Sequence, residues 1–152
     1  ASAASVTDNR RAGAAAAVVG IAARGGTHLL LRFVFSGTAG ETLYVGFVMP
    51  ATAAIAMYER LVFTARANRP MRLSVQLRSP GGEGERWRRS VYLDPTPRTV
   101  DVALDDFRPV GSTGSSRPEL AKIDSVLFVV DTINNKVGSN GQIQIDDIRY
   151  AR

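Results

Sequence analysis

The 152-residue sequence has no cysteine and a single histidine, His28. The absence of cysteine excludes a disulfide framework, thiolate zinc sites and a cysteine nucleophile. His28 lies within an apolar segment, where a lone histidine is more typical of a structural residue than of a general base. No Gly-x-Ser-x-Gly elbow, Walker loop or dinucleotide-binding fingerprint occurs. Because these catalytic signatures are missing, we predict that the chain is not an enzyme.

Lysine is scarce as well, since only Lys122 and Lys136 accompany the arginines in a chain of net charge +5. Basic charge can indicate a nucleic-acid partner, but these arginines occupy scattered positions rather than a continuous run. We therefore predict no nucleic-acid site. No stretch reaches the ~18 consecutive apolar residues that cross a bilayer, so we predict no membrane insertion.

Short segments of alternating apolar and polar residues cover most of the chain. The clearest is 71–78, where every second residue from Met71 onward is apolar and the others are polar. The same test predicts strands at 28–35, 42–48, 61–67, 86–93, 99–104, 125–130 and 142–150. Glycine- and proline-rich loops separate them, and only 51–60 and 118–122 are predicted to form short helical turns. The pattern predicts one all-β domain over residues 1–152, a two-sheet antiparallel β-sandwich.

The apolar positions of these strands define a predicted core. Its members are Leu29, Leu31, Phe33, Leu61, Phe63, Leu73, Val75, Leu77, Val102, Phe128 and Ile145. The segment 126–130 is apolar on both faces, which is typical of a central strand covered on both sides or of one that crosses a crowded part of the sandwich. Residues 1–26 form a lead-in with a first strand. Within it, Arg10-Arg11 followed by 12–23 also resembles a signal peptide, and we favour the strand.

Several motifs in order resemble a known family. The segment 58–67 resembles the Y-x-x-L-x-F-x-A-R strand of certain bacterial carbohydrate-binding modules. It is followed by the segments 73–77, 87–93, 100–107, 123–129 and 141–150. This series is similar to the galactose-binding-like jelly rolls of family 11 and family 30 carbohydrate-binding modules. It is also similar to the intermediate-associated protein domain of mitochondrial complex I assembly.

The resemblance implies a non-catalytic module that binds a polysaccharide or oligosaccharide. It also implies that the domain is one part of a longer bacterial protein that is secreted or periplasmic. The alternative is a structural or protein-interaction β-sandwich that has kept the fold without sugar binding, because one fold hosts many functions.

Sugar recognition needs aromatic rings that stack on a pyranose and planar groups that bind its hydroxyls. The wet face of the 71–93 hairpin offers Arg72, Gln76, Arg88 and Tyr92, which antiparallel pairing would bring together. A solvated outer face is the alternative for this set. Two further aromatic candidates for ligand binding are Trp87, which could instead pack at the core edge, and Tyr44, which shares a face with Gly46.

Aspartates near the chain ends are candidate metal ligands. The resemblance implies a structural calcium held in part by a C-terminal aspartate, and Asp146 and Asp147 match that position. Asp8 would supply the N-terminal share, since calcium takes six to eight oxygen ligands. The polar stretch 131–135 is either a ligand-binding rim or an Asx-type turn.

Overall fold

The computed structural model describes residues 5–8, 14–23, 27–35, 44–80, 84–111, 113–131 and 140–152. These residues form strands and two short 3-10 turns, Ala53–Met57 and Leu120–Lys122. The strands are β1 (Ser5–Asp8), β2 (Ala14–Ala23), β3 (Thr27–Phe35), β4 (Tyr44–Pro50), β5 (Arg60–Ala67), β6 (Met71–Arg78), β7 (Arg86–Leu93), β8 (Arg98–Ala103), β9 (Arg108–Pro109), β10 (Ser125–Asp131) and β11 (Asn140–Ala151).

The strands pair into two sheets. One has six strands in the order β1-β4-β10-β6-β7-β9, and the other has five in the order β2-β3-β11-β5-β8. Every pairing among the described strands is antiparallel. Only β6–β7 and β2–β3 join strands that are consecutive in the chain, so the other neighbours come from connections that cross between sheets. The predicted all-β, two-sheet antiparallel sandwich is confirmed.

The core lies between the sheets and is built from the apolar member of each alternating pair. Phe63 of β5 and Phe128 of β10 meet across it edge to face, with ring centroids 5.3 Å apart. All of the predicted core residues are buried, at 5% exposure or less. Removing a leucine or phenylalanine side chain from water contributes about 1.5–3 kcal/mol, so these contacts provide much of the stability.

The apolar run in β10 is explained by its central position. Val126 and Phe128 face the core, whereas Leu127 and Val129 lie on the opposite side of the strand and are still only 4% and 5% exposed. The strand is third in the six-stranded sheet, between β4 and β6. The strand is therefore central in its sheet, and its side chains are buried on both faces.

Two expectations about local structure need adjustment. The predicted turn at 51–60 is shorter, because the 3-10 turn ends at Met57 and Tyr58 is already extended before β5 begins. The predicted strand at 42–48 runs instead from Tyr44 to Pro50 within the described residues.

The alanine-rich segment Ala14–Ala23 is a strand paired with β3, as we favoured over a signal peptide. None of the helices in the described segments is long and apolar enough to cross a membrane.

Candidate functional site

The six-stranded sheet turns alternate residues away from the core, and these make up its outer face. Four rows of side chains cross this face, each taking one residue from β4, β10, β6 and β7 in that order. The second, third and fourth rows are Gly46, Val129, Ser74 and Ser90; Val48, Leu127, Gln76 and Arg88; and Pro50, Ser125, Arg78 and Arg86. The first consists of the pair Tyr44 and Asp131 and the pair Arg72 and Tyr92. The β10–β6 register, which is paired as far as Val129 and Ser74, places these two pairs in line when it is continued by two residues. We call the first the aromatic row, the second the small-residue row, and the others the third and fourth rows. Arg108 of β9 extends the third row.

The aromatic row carries two exposed rings. Tyr44 is 37% exposed and Tyr92 is 45% exposed, and the other exposed large apolar side chains among the described residues are Val34 and Met57. The two tyrosines belong to β4 and β7, which are separated by β10 and β6. Three strand spacings of about 4.8 Å place them about 14 Å apart. The row therefore presents two separated aromatic platforms on one face.

The ring of Tyr92 is held by its neighbours. The guanidinium carbon of Arg98 lies 5.3 Å from the ring centroid, a cation–π distance. Arg98 is itself fixed, because its Nη2 donates to Oδ2 of Asp94 at 2.5 Å. This hydrogen bond from Arg98 lowers the pKa of the Asp94 carboxyl below its ordinary value of 3.8, so Asp94 stays charged near neutral pH. The Asp94–Arg98 pair thus positions Tyr92.

The small-residue row forms a buried floor beside the tyrosines. Ser74 is 1% exposed and Val129 is 5% exposed, although both are on the outer face. At Gly46 a Cβ atom would lie 2.3 Å from the carbonyl oxygen of Phe128, so only glycine allows β4 to approach β10 this closely. The missing side chain at Gly46 therefore does not leave open space beside Tyr44, because the backbone of β10 fills it.

Gln76 lies on the outer face with Arg88 directly opposite, yet it is only 5% exposed. Its amide Nε2 donates to Ser74 Oγ at 3.2 Å, and its Oε1 accepts from Arg86 Nη1 at 3.5 Å. Buried polar groups need such partners. Gln76 is therefore a floor residue that fixes Ser74 and Arg86, and the expectation that it would lie open to solvent was wrong.

Two arginines on this face are more accessible. Arg72 is exposed, and its Nε donates to Ser90 Oγ at 2.8 Å, which holds it against β7. Arg88 is half-buried and makes no hydrogen bond or ion pair with any described residue. The hairpin brings Arg72, Arg88 and Tyr92 onto the same face, and pairs Arg72 directly with Tyr92.

Trp87 is not part of this surface. It is 3% exposed and faces the core, and its indole Nε1 donates to the carbonyl of Ser115 at 3.1 Å. A buried ring cannot stack on a sugar, so the assignment of Trp87 as a ligand-binding residue was wrong. The core-edge alternative describes it, because a buried tryptophan finds a partner for its N–H.

The predicted calcium ligands lie in different sheets. Asp146 and Asp147 are in β11, where a β-bulge opposite β5 gives Asp147 a positive φ of 53°. Asp8 is in β1 at the edge of the other sheet. Within the described segments, no three histidine, aspartate or glutamate side chains form a group that could hold a metal. The described side chains therefore do not by themselves supply the ligand set that calcium needs.

Two cavities lie away from the outer face of the six-stranded sheet. One of about 240 Å³ is lined by polar side chains of β5 and β11, among them Arg66, Gln142 and Gln144. The other, of about 390 Å³, lies where β5 begins and β8 ends, beside Tyr58 and Asp105. In the first, Arg66 Nε already donates to Gln144 Oε1 at 3.1 Å, so these polar groups satisfy one another.

Several solved structures have a similar fold. A family 11 carbohydrate-binding module from Clostridium thermocellum, described in complex with a β-1,3-1,4-mixed-linked tetrasaccharide, matches with a TM-score of 0.69 and 19% identity. The match covers 97% of this chain and 88% of that one. The module of the cellulosomal cellulase Lic26A-Cel5E from the same organism gives a TM-score of 0.70 at 18% identity, covering 97% and 86%. An exo-β-agarase matches at 0.58 and 14% identity, over 95% of this chain and 23% of the agarase.

These likenesses are of fold rather than of sequence. No protein-family model matches the chain, and no curated protein is significantly similar to it in sequence. The chain has the jelly-roll sandwich fold of carbohydrate-binding modules.

Proposed function

We propose that the domain is a non-catalytic carbohydrate-binding module that recognises a polysaccharide or oligosaccharide on the outer face of its six-stranded sheet. The observation that carries this proposal is the aromatic row. Two exposed tyrosines, Tyr44 and Tyr92, flank the same row across four strands, beside a floor of small residues. An elongated sugar chain lying across the strands would contact both rings.

The chemistry of the row suits sugars. Aromatic rings stack on the apolar face of a pyranose, and arginine and serine side chains bind hydroxyls. Each such hydrogen bond contributes only about 0.5–1.5 kcal/mol net, because it replaces one to water. Stacking on Tyr44 and Tyr92 must therefore supply much of the affinity, with Arg72 and Arg88 orienting the sugar. Gln76 supports the floor.

The fold comparisons support this role. The family 11 module that resembles the chain is described with a bound tetrasaccharide, and the match spans most of that module. The agarase matches over less than a quarter of its length, so the similarity to that enzyme is confined to a small part of its chain. By analogy, the domain serves as one part of a longer, exported protein whose other domains determine what is done to the polysaccharide.

Affinity electrophoresis tests the proposal. The protein is run in native gels containing mixed-linked β-glucan, xylan, agarose, polygalacturonate or no polymer, and a glycan array covers shorter ligands. We expect retardation on at least one polymer relative to the polymer-free gel. Normal mobility in every gel together with a blank array would overturn the proposal and favour the structural or protein-interaction alternative.

A further inference from the structure

The outer face of the six-stranded sheet carries a net positive charge. Five of its side chains are arginines: Arg72, Arg78, Arg86, Arg88 and Arg108. Among the positions on β4, β10, β6, β7 and β9 that share this face, Asp131 is the only acidic residue. The chain as a whole has a net charge of +5, so this face is strongly basic relative to the rest.

Two pairs of these arginines place like charges directly opposite each other on neighbouring strands. Arg78 lies directly opposite Arg86 in the β6–β7 ladder, and Arg88 lies directly opposite Arg108 in the β7–β9 ladder. Like charges in directly opposed cross-strand positions destabilise a sheet. Two such pairs in neighbouring rows therefore cost stability, which an anion bound between them would recover.

Nearby carboxylates do little to neutralise this charge. Arg72, Arg78 and Arg86 donate to Ser90, Ser125 and Gln76, all of which are neutral. Arg88 has no hydrogen-bond or ion-pair partner among the described residues.

Of these five arginines, only Arg108 is within ion-pair distance of a carboxylate on a described residue. Its Nη2 lies 3.7 Å from Oδ1 of Asp106, whose other oxygen is paired with Arg89. Glu85 stands just before β7, but its Oε1 accepts from the backbone N–H of Gly114. Asp106 and Glu85 each have a partner outside this face, and Asp131 offsets one of its five positive charges.

The other sheet provides a contrast. On its outer face Arg60 is paired with Asp101 at 2.8 Å. Arg32 and Arg66 each donate Nε to a glutamine on β11, at 3.2 Å and 3.1 Å. Among the described ladders, arginines stand directly opposite arginines only on the face that holds the two exposed tyrosines.

We infer that the polysaccharide recognised on this face is acidic, bearing carboxylate groups of uronic acids or sulfate esters. The inference rests on the proposed function and specifies its ligand class. The planar guanidinium group donates two parallel hydrogen bonds to a carboxylate or an oxyanion, and such charge-assisted bonds are about twice as strong as neutral ones. The tyrosines stack on the sugar rings while the arginines of this face bind their anionic substituents.

Polymers matched in backbone but not in charge test this. Polygalacturonate is compared with its fully methyl-esterified form, and sulfated carrageenan with uncharged agarose. We expect at least one acidic polymer to bind about tenfold or more tightly than its neutral counterpart, the effect of one charge-assisted hydrogen bond. The pair that shows the difference distinguishes carboxylate from sulfate. Binding should also weaken steeply with added salt.

Charge-matched variants locate the site. Arg72→Gln with Arg88→Gln removes two charges from the outer face of the six-stranded sheet, and Arg32→Gln with Arg66→Gln removes two from the other sheet. We expect only the first variant to lose at least about tenfold in affinity and most of its salt dependence. Melting curves establish that both variants are folded.

The outcomes separate the two proposals. Equal affinity for acidic and neutral polymers overturns the acidic-ligand inference and leaves the carbohydrate-binding function standing. Equal losses in both double variants overturn it as well, because the effect would then be one of net charge alone. Binding to duplex DNA or to phosphatidylserine vesicles, with no polysaccharide retained, overturns both proposals.

Discussion

Tyr44 and Tyr92 lie in one row on the same face of the six-stranded sheet, on strands separated by β10 and β6. A single sugar chain that stacks on both rings would gain affinity from each of them. We predict that Tyr44→Ala and Tyr92→Ala each abolish or severely weaken polysaccharide retention in affinity gels, whereas Arg72→Ala weakens it only partially. The reason is that stacking supplies more net affinity than one hydrogen bond.

Tyr92→Phe is the matched control, since it keeps the ring and removes only the hydroxyl. It should retain most of the binding. Met57→Ala controls for loss of an exposed apolar side chain elsewhere, because Met57 is 61% exposed and outside the face. Normal retention by both tyrosine-to-alanine variants would show that the sugar binds elsewhere.

The close approach of β4 to β10 gives a prediction about stability. A Cβ at position 46 would lie 2.3 Å from the Phe128 carbonyl oxygen and 3.0 Å from the Val129 Cα. Both are backbone atoms that cannot rotate away, so Gly46→Ala must separate the strands. We expect a loss of about 1–3 kcal/mol in the free energy of unfolding, measured by urea denaturation.

Gly114→Ala is the control for that variant. Its Cβ would meet only the Glu85 side chain, at 3.4 Å, and its stability should stay within about 0.5 kcal/mol of the parent. Equal stability of the Gly46 and Gly114 variants would mean that β4 and β10 are further apart than described.

The core gives the firmest stability prediction. Leu73 is fully buried on β6, so Leu73→Ala removes apolar contacts and leaves a cavity, at a cost of about 2–5 kcal/mol in unfolding free energy. The same truncation at exposed Met57 should change it by no more than about 0.5 kcal/mol. A loss below about 1 kcal/mol at both Leu73 and Leu77 would mean that the faces of β6 are reversed.

The fold could be predicted because alternation is a local signal. The period of two in Met71–Arg78 and Arg86–Leu93 identifies both strands, and their adjacency in the chain fixes the hairpin. The placement of Arg72 and Tyr92 on a shared face followed from that pattern. The same alternation predicted the buried core residues, among them Phe63 and Phe128.

The rest of the site depends on contacts between segments distant in sequence. Tyr44 joins the aromatic row only because β10 inserts between β4 and β6, an order that no local pattern specifies. The burial of Gln76 depends on the packing around it, and that of Trp87 on a loop whose Ser115 carbonyl accepts its N–H. Trp87 lies four residues before Val91 on the same strand, so the period of two already predicted that its ring points inward.

Calcium is still a prediction. We predict that a bound ion would be ligated by Asp146 or Asp147, and that chelator would then lower the melting temperature, because only the folded state assembles the site. Asp146→Asn with Asp147→Asn should remove the response to chelator. An unchanged melting curve in excess chelator, together with no calcium by elemental analysis of the purified protein, would rule out the ion.

The Asp94–Arg98 pair predicts a specific pH dependence. The pKa of Asp94 is lowered from 3.8 mainly by its hydrogen bond from Arg98, so the folded state favours the carboxylate. A lowered pKa in the folded state stabilises the protein above the unfolded value, and this contribution is lost as the pH falls through the folded pKa. Asp94→Asn keeps an acceptor for the Thr96 N–H, but it removes the charge and replaces the oxygen that accepts from Arg98 with an amide NH2.

We therefore expect the melting temperature of the parent to exceed that of Asp94→Asn by a small, constant amount from about pH 8 to about pH 5. The difference should shrink below about pH 4 and vanish once Asp94 is protonated. Arg98→Gln should give the same profile, because it removes the other partner of the pair. A difference that does not shrink as the pH falls would mean that the asparagine perturbs the turn itself, since an effect of the charge on Asp94 must diminish as the carboxyl is protonated. In that case the ion pair would not be what holds Arg98 against the Tyr92 ring.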